Sequence, residues 1–159
     1  MADMILVLPT GKRKVLETMA QSESLSFTRR IGLRSRNITH LMDSVERGLR
    51  YQSLTSLQKG MGLSTNEIAN ALDISIRTLA RRKKEGRLRQ EESERLIRVS
   101  RIFDKTVNLF EGDEQEAKRW LKKPAPALGE KSPLEFIATE IGAREVENLI
   151  GRLEEGVFS

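Results

Sequence analysis

The chain has 159 residues, of which only 4% are aromatic; this length excludes a large multi-domain enzyme, and this composition favours helices over sheets. It contains no cysteine, which excludes disulfides, thiolate metal sites and a cysteine nucleophile, and it has no apolar run approaching the roughly 18 residues that span a bilayer. The net charge of +5 is uneven: residues 1–110 hold 21 Lys and Arg against 12 Asp and Glu, whereas residues 111–159 hold 7 against 11, which suggests a polyanionic partner for the first part and a different partner for the second.

The first clear helical signals follow an N-terminal leader. Residues 1–36 combine a short apolar start with a Ser-rich stretch, and we expect a variable, partly disordered leader with one helix near residues 13–20. Apolar residues at helical spacing then predict a helix over residues 39–49 and another over residues 53–61, which Gly62 closes as a C-terminal cap.

The next two helices have clear start and stop residues. Ser64 and Glu67 form a capping box, and the helix that they begin ends at Asp73. Ser75 caps the following helix, and Gly86 ends it. Helical periodicity divides this second helix into two faces. The residues predicted to face inward are Ile76, Leu79 and Ala80. The residues predicted to face outward are Arg77, Thr78, Arg81 and Arg82.

Residues 90–110 form the longest predicted helix. Its apolar stripe suits either a dimer interface or the core of the chain itself, because both bury one helix face. Three shorter helices follow: one from Asp113 to just before Pro124, one from Ser132 to about residue 140, and one over residues 143–155, which Gly142 separates from its predecessor. Since no alternating apolar pattern occurs outside the N-terminus, we predict an all-α fold.

The two short capped helices are arranged as a helix-turn-helix, in which the second helix enters the DNA major groove. Residues 77–89 hold seven Lys and Arg against one Glu. Arg77 and Arg81 lie four residues apart and can pair with guanine, whereas lysines beyond the helix centre suit phosphates. The predicted DNA-binding residues are Ser75, Arg77, Thr78, Arg81, Arg82 and Lys84. The alternative is an ordinary helical hairpin with a solvated basic face.

No catalytic residue, metal site or cofactor is predicted. His40 is the one histidine, so no histidine pair can bind zinc, and we expect His40 to cap or flank the helix over residues 39–49. The Glu residues fall on predicted outer helix faces near Lys or Arg, a pattern typical of solvent-exposed pairing rather than of acid–base catalysis. Trp120 is able to stack on a ligand, but we expect it in the core. The chain is therefore not expected to be an enzyme.

Several segments in order along the chain match one family. They are Leu63–Ala69, Ile76–Arg82, Gly86–Leu88, Glu91–Leu96, Ala117–Leu121, Ser132–Glu135, Gly142–Glu147 and Gly151–Ser159. On these segments, about three quarters of the chain, from Leu41 to Ser159, resembles the bacterial Xre/MbcA/ParS-type antitoxins of type II toxin–antitoxin operons whose toxins carry a RES domain.

The resemblance implies a division of labour along the chain. Residues 37–110 would form a helix-turn-helix region that dimerises and represses the operon's own promoter by binding operator DNA. Residues 111–159 would form a small helical toxin-binding domain that occludes the active site of an NAD-depleting RES toxin. The residues carried over as toxin contacts are Arg144, Glu147, Asn148, Arg152, Val157 and Phe158. From the residues alone, a frayed terminus is the preferred interpretation of the C-terminal tail.

The resemblance also implies a place and a partner set. It places the protein in the bacterial cytoplasm, at the nucleoid when bound to its operator, with no membrane partner. The partners that it implies are a RES-domain toxin and operator DNA. A second copy of the chain is expected because a repressor with two recognition helices one DNA turn apart reads a palindromic site. The alternative function is a stand-alone helix-turn-helix transcriptional regulator with a C-terminal protein-interaction domain. A role as a chromosome-partition adaptor has little support in the sequence.

Overall fold

A computed structural model describes residues 25–35 and 37–156 of the chain. These residues form eight α-helices and two short 3-10 helices, Ser26–Ile31 and Pro126–Leu128, and their only β-type pairings are two isolated bridges. The α-helices are α1 (Ile38–Glu46), α2 (Tyr51–Met61), α3 (Thr65–Ala71), α4 (Ile76–Glu85), α5 (Gln90–Leu109), α6 (Glu114–Lys122), α7 (Pro133–Phe136) and α8 (Glu140–Glu154). The predicted all-α class is confirmed. Among the described helices, none is long and apolar enough to cross a membrane.

Side-chain caps begin the helices where the sequence predicts them. In the Ser64 capping box, the Ser64 hydroxyl accepts from the Glu67 amide at 3.1 Å, and the Glu67 carboxylate accepts from the Ser64 amide at 2.7 Å. The hydrogen bond from the Ser64 amide lowers the pKa of Glu67. Ser75 accepts from the Thr78 amide at 3.0 Å, and Asp113 caps α6 in the same manner. Each cap satisfies amides that a helix start leaves without an intrahelical partner.

Helix α5 is the central element of one continuous core. Its residues Leu96, Ile102, Phe103 and Val107 are buried in a single hydrophobic cluster that extends from Ile31 to Ile150. The helix packs against the first 3-10 helix and against α1, α2, α6 and α8. The two regions predicted at 37–110 and 111–159 therefore share one core. The apolar stripe of α5, which suits either a dimer interface or the core of the chain, is buried in the core of the chain. Its buried side chains are therefore not free for a dimer contact.

The first described residues belong to this fold. Leu25 and Phe27 are buried against Leu41 of α1, and Ser100 of α5 donates a hydrogen bond to the Phe27 carbonyl at 2.8 Å. Beside them, the Arg30 guanidinium lies 2.8 Å from the Asp104 carboxylate. Residues 25–31, which belong to the predicted leader, thus pack into the fold, because their apolar side chains have partners remote in sequence. The helix predicted near residues 13–20 lies outside the described residues.

The boundary between α7 and α8 differs from the prediction. Helix α7 ends at Phe136, and α8 begins at Glu140 with Thr139 as its N-cap, so Gly142 lies inside the first turn of α8 rather than between two helices. A Cβ atom at Gly142 would lie 1.9 Å from the Phe136 carbonyl oxygen. The glycine therefore permits a close backbone approach and does not break the helix.

Candidate nucleic-acid interface and the exposed face of the last helix

Helix α4 presents a row of cationic side chains to solvent. Arg77, Arg81 and Lys84 are exposed, and their spacing of four and three residues places them on one side of the helix. We call these three residues, with exposed Lys83, the cationic face. None of them has a carboxylate partner among the ion pairs of the described residues.

The start of α4 is rigidly defined. Ser75, the N-cap, accepts from the Thr78 amide, and its hydroxyl donates to the Thr78 hydroxyl at 3.0 Å. Thr78 is half-buried, whereas Ser75 is exposed. Of the six predicted DNA-binding residues, five thus lie along one solvent-accessible part of α4 and its cap.

The sixth, Arg82, does not face outward, and that prediction is wrong. Its side chain is 2% exposed, and its Nε donates to both carboxylate oxygens of Glu92, at 3.0 and 2.8 Å. One of its terminal nitrogens donates to Glu85 at 3.0 Å. The Glu92 carboxylate also accepts from the Arg89 amide at 2.9 Å. Arg82 therefore fixes α4 to the start of α5 and is not available to DNA.

The two partners of this buried pair stabilise each other's charged forms. The hydrogen bond to Glu92 outweighs burial and raises the pKa of Arg82. Burial alone would raise the pKa of Glu92, but the hydrogen bonds from Arg82 and the Arg89 amide and the Arg82 charge lower it overall. Glu92 is also an exception to the expectation that Glu residues occupy outer faces.

The inner face of α4 consists of Leu79 and Arg82, which are one turn apart. Ile76 is 47% exposed and Ala80 is exposed, so the prediction that these two residues face inward is wrong. The signal for Arg82 was present in the sequence, because a residue three positions after an inward Leu79 lies on the same side of the helix. Its charge nevertheless predicts an exposed position, and the sequence does not indicate the buried partner Glu92, which belongs to another helix.

The loop that follows α4 is tightly held against the segment before α2. Gly48 has a φ angle of +81°, and a Cβ atom there would lie 2.1 Å from the Leu88 carbonyl oxygen. The Leu88 amide donates to the Leu49 carbonyl at 2.8 Å, and the Leu49 amide donates to the Ser93 hydroxyl at 2.9 Å. Both ends of α4 are thus anchored, which keeps the cationic face in one orientation.

Helix α8 exposes a second surface. Ile141 is 84% exposed, and Asn148 and Arg152 follow it at intervals of seven and four residues, on the same side of the helix. Arg144 is also exposed, and Arg152 lies 3.4 Å from Glu145. We call Ile141, Arg144, Asn148 and Arg152 the α8 face. Sequence reasoning missed Ile141, although an isoleucine beside Gly142 in the first turn of an amphipathic helix could have drawn attention to it.

The other residues predicted on this surface are placed differently. The Glu147 carboxylate faces α5, where it lies 2.9 Å from Arg101 and 3.2 Å from Lys105. It is therefore engaged within the chain and is not part of the α8 face. Val157 and Phe158 lie outside the described residues.

The candidate residues considered for chemistry occupy structural positions. His40 is exposed in the first turn of α1, where its amide donates to the Asn37 side chain at 2.8 Å. Trp120 is half-buried against the core, with its ring centroid 6.4 Å from that of Phe110. Among the described residues, no group of three or more His, Cys, Asp or Glu side chains is arranged to hold a metal ion.

This geometry defines a class of protein: a helix-turn-helix with a basic second helix, joined through a shared core to a C-terminal helical domain. Family comparisons agree with both halves. Residues 40–101 match the Antitoxin Xre-like helix-turn-helix domain. Residues 106–156 match the Antitoxin Xre/MbcA/ParS C-terminal toxin-binding domain.

Full-length relatives identify the family. The chain is 42% identical over 139 residues to an Antitoxin Xre of Yersinia enterocolitica, which covers 87% of this chain and 94% of the relative. It is 35% identical over 138 residues to an Antitoxin Xre of Photorhabdus laumondii, which covers 86% and 93%. The chain belongs to the Antitoxin Xre family, and its two matched domains are the helix-turn-helix and the toxin-binding domain of such antitoxins.

Proposed function

We propose that this antitoxin occludes the active site of an NAD-depleting RES-domain toxin and represses its own operon by binding promoter DNA. The observation that supports the DNA-binding half best is the cationic face of α4, which is exposed while the opposite side of the helix is anchored by Arg82. The RES toxin and the autorepression follow from the family resemblance of the sequence.

The cationic face has the residue types that operator recognition requires. Arg77 is in the first turn of α4, the part of a recognition helix that meets base edges, and Arg81 lies one turn further along. A guanidinium donates two hydrogen bonds to the O6 and N7 atoms of guanine, which distinguishes guanine from the other bases. Lys83 and Lys84 suit phosphate oxygens, which position the helix without reading sequence.

A double substitution tests this half of the proposal. Arg77→Ala with Arg81→Ala removes both guanine-reading side chains without touching the core. We expect affinity for a duplex of the operon's own promoter to fall about 5- to 150-fold for each arginine lost, measured by fluorescence anisotropy at fixed salt. Arg119→Ala, which removes an arginine that is 72% exposed on α6, is the matched control. Unchanged promoter affinity in the double variant would show that α4 is not the recognition helix.

The α8 face supports the toxin-binding half. An apolar side chain that is 84% exposed loses most of its contact with water when a partner covers it, and buried apolar anchors contribute most to interface energies. Around Ile141, the α8 face offers the polar groups of Arg144, Asn148 and Arg152. The two arginines of this face are paired with Glu140 and Glu145, and residues 111–159 are net acidic, which is complementary to a basic nucleotide-binding cleft.

Co-expression with the product of the adjacent gene tests the toxin-binding half. The wild-type antitoxin should preserve growth and cellular NAD, whereas Ile141→Asp and a chain lacking residues 157–159 should not. Both variants should retain promoter binding, and the Arg77 and Arg81 double variant should retain neutralisation. Ile38→Asp, a change at a 59% exposed isoleucine on α1, is the control. If the wild type leaves the toxin active while it still binds the promoter, the chain acts as a stand-alone regulator.

We also propose that the repressor is a homodimer, because two recognition helices about one DNA turn apart read a palindromic operator. The apolar stripe of α5 is buried within one chain, so the dimer contact uses a different surface. Light scattering at micromolar concentration should give twice the 18.1 kDa mass of one chain. A single species at 18.1 kDa without DNA, together with a complex of one chain per duplex when promoter DNA is added, would refute the dimer.

A further inference from the structure

We infer that Ile76 is a specificity-determining residue that reads the 5-methyl group of a thymine in the operator. This inference rests on the proposed DNA-binding function and names the base, and the group on it, that Ile76 contacts. It starts from the outward placement of Ile76, the first residue of α4, which is 47% exposed although it is large and apolar.

The surroundings of Ile76 separate it from an incidental surface residue. The described chain has four exposed large apolar side chains: Ile38, Met42, Ile76 and Ile141. Of these four, only Ile76 belongs to α4, where it directly precedes Arg77. Single exposed apolar residues are common on protein surfaces, but this one occupies the turn of a recognition helix that meets base edges.

The packing of α4 keeps Ile76 out of the core. Leu79 and Arg82 occupy the inner side, and the Ser75 cap fixes the first turn, so Ile76 stays on the outer side with Ala80 one turn later. The small Ala80 side chain lets this edge of the helix come close to a groove floor. Ile76 and Ala80 thus form an apolar strip next to the arginines, which is suited to an apolar group on the base edges.

The major groove offers one such apolar group. Thymine carries a methyl group at C5, whereas cytosine carries only a hydrogen there and the purine edges present the hydrogen-bonding atoms N7 and O6 or N6. An Ile76 side chain against this methyl removes apolar surface of both partners from water. Arg77 is adjacent to Ile76, and the proposed function assigns it a contact with guanine. We therefore expect the thymine to lie next to that guanine in the operator.

Methyl deletion on the DNA, combined with side-chain truncation, tests the contact. A duplex is first recovered by selection from a random pool on the full-length chain. Each thymine is then replaced in turn by deoxyuridine, which lacks only the methyl. We expect a roughly three- to tenfold loss of wild-type affinity at one thymine per half-site. Ile76→Ala should show a similar loss on the original duplex and no further loss on the substituted one, since the two changes remove one contact.

The controls separate this inference from the proposed function. Ile76→Val should lose less affinity than Ile76→Ala, and Ile38→Ala, on α1, should respond to deoxyuridine as the wild type does. If no duplex is selected, the proposed DNA binding fails. If a duplex is selected but no thymine methyl affects wild-type binding, or if the methyl effect is the same in Ile76→Ala and wild type, the Ile76 contact is overturned while DNA binding by Arg77 and Arg81 stands.

Discussion

Truncation of Arg82 should destabilise the fold rather than remove a DNA contact. Arg82→Ala removes three hydrogen bonds to carboxylates and leaves Glu92, 5% exposed, without its charged partner. Removing one member of a buried ion pair costs about 3–5 kcal/mol, because the remaining charge stays buried and uncompensated. For a chain of this length, that loss corresponds to a midpoint temperature lower by about 6–20 °C.

Thermal unfolding followed by circular dichroism at neutral pH measures this effect. Arg81→Ala is the matched control, because it removes the adjacent, exposed arginine of the same helix; it should weaken promoter binding and leave the midpoint within about 2 °C of wild type. The double variant Arg82→Met with Glu92→Leu should recover part of the stability lost in Arg82→Ala, since apolar side chains of similar volume replace buried pairs well, whereas the Arg89 amide loses its carboxylate acceptor. Recovery of stability should restore promoter binding at the same time.

Two outcomes would refute this reasoning. A variant Arg82→Ala with a wild-type midpoint but lost promoter binding would mean that Arg82 contacts DNA. Failure of the double substitution to recover any stability would mean that the unpaired charge on Glu92 is not the main cause of the loss in Arg82→Ala.

Two further predictions concern the glycines of α8 and the response to acid. Gly142→Ala should destabilise the fold by about 2 kcal/mol or more, because its Cβ would lie 1.9 Å from the Phe136 carbonyl oxygen. Gly151→Ala, in open space on the same helix, should stabilise the fold by about 0.5–1 kcal/mol. Equal effects of the two substitutions in urea denaturation would contradict the close approach at Gly142. Because the pKa of Glu92 is lowered in the folded state, its contribution to stability is complete above its ordinary value of 4.5 and is lost as pH falls through the lowered pKa. The free energy of unfolding should therefore depend less on pH below about 5 in Glu92→Gln than in wild type, and an identical pH dependence would contradict the shift.

Much of the helical organisation was predictable from neighbouring residues alone. The starts of α3, α4 and α6 follow from Ser64, Ser75 and Asp113, whose side chains accept from amides two or three residues away. Such contacts depend on local sequence and not on the rest of the fold. The boundary at Gly142 was mispredicted because the residue's function depends on Phe136, which belongs to another helix.

The candidate site shows the same division. The sequence determined that α4 exists and is strongly basic, and it determined that Arg77 and Arg81 share one side of that helix. Only the tertiary structure decided that Arg82 faces Glu92 in the interior while Ile76 faces solvent, and that Glu147 faces α5. Helical periodicity, combined with polarity, predicts that apolar residues face the core and charged residues face solvent. A charged residue is stable in the core only where a partner from a distant part of the chain compensates its charge, and tertiary packing decides which residue that partner is.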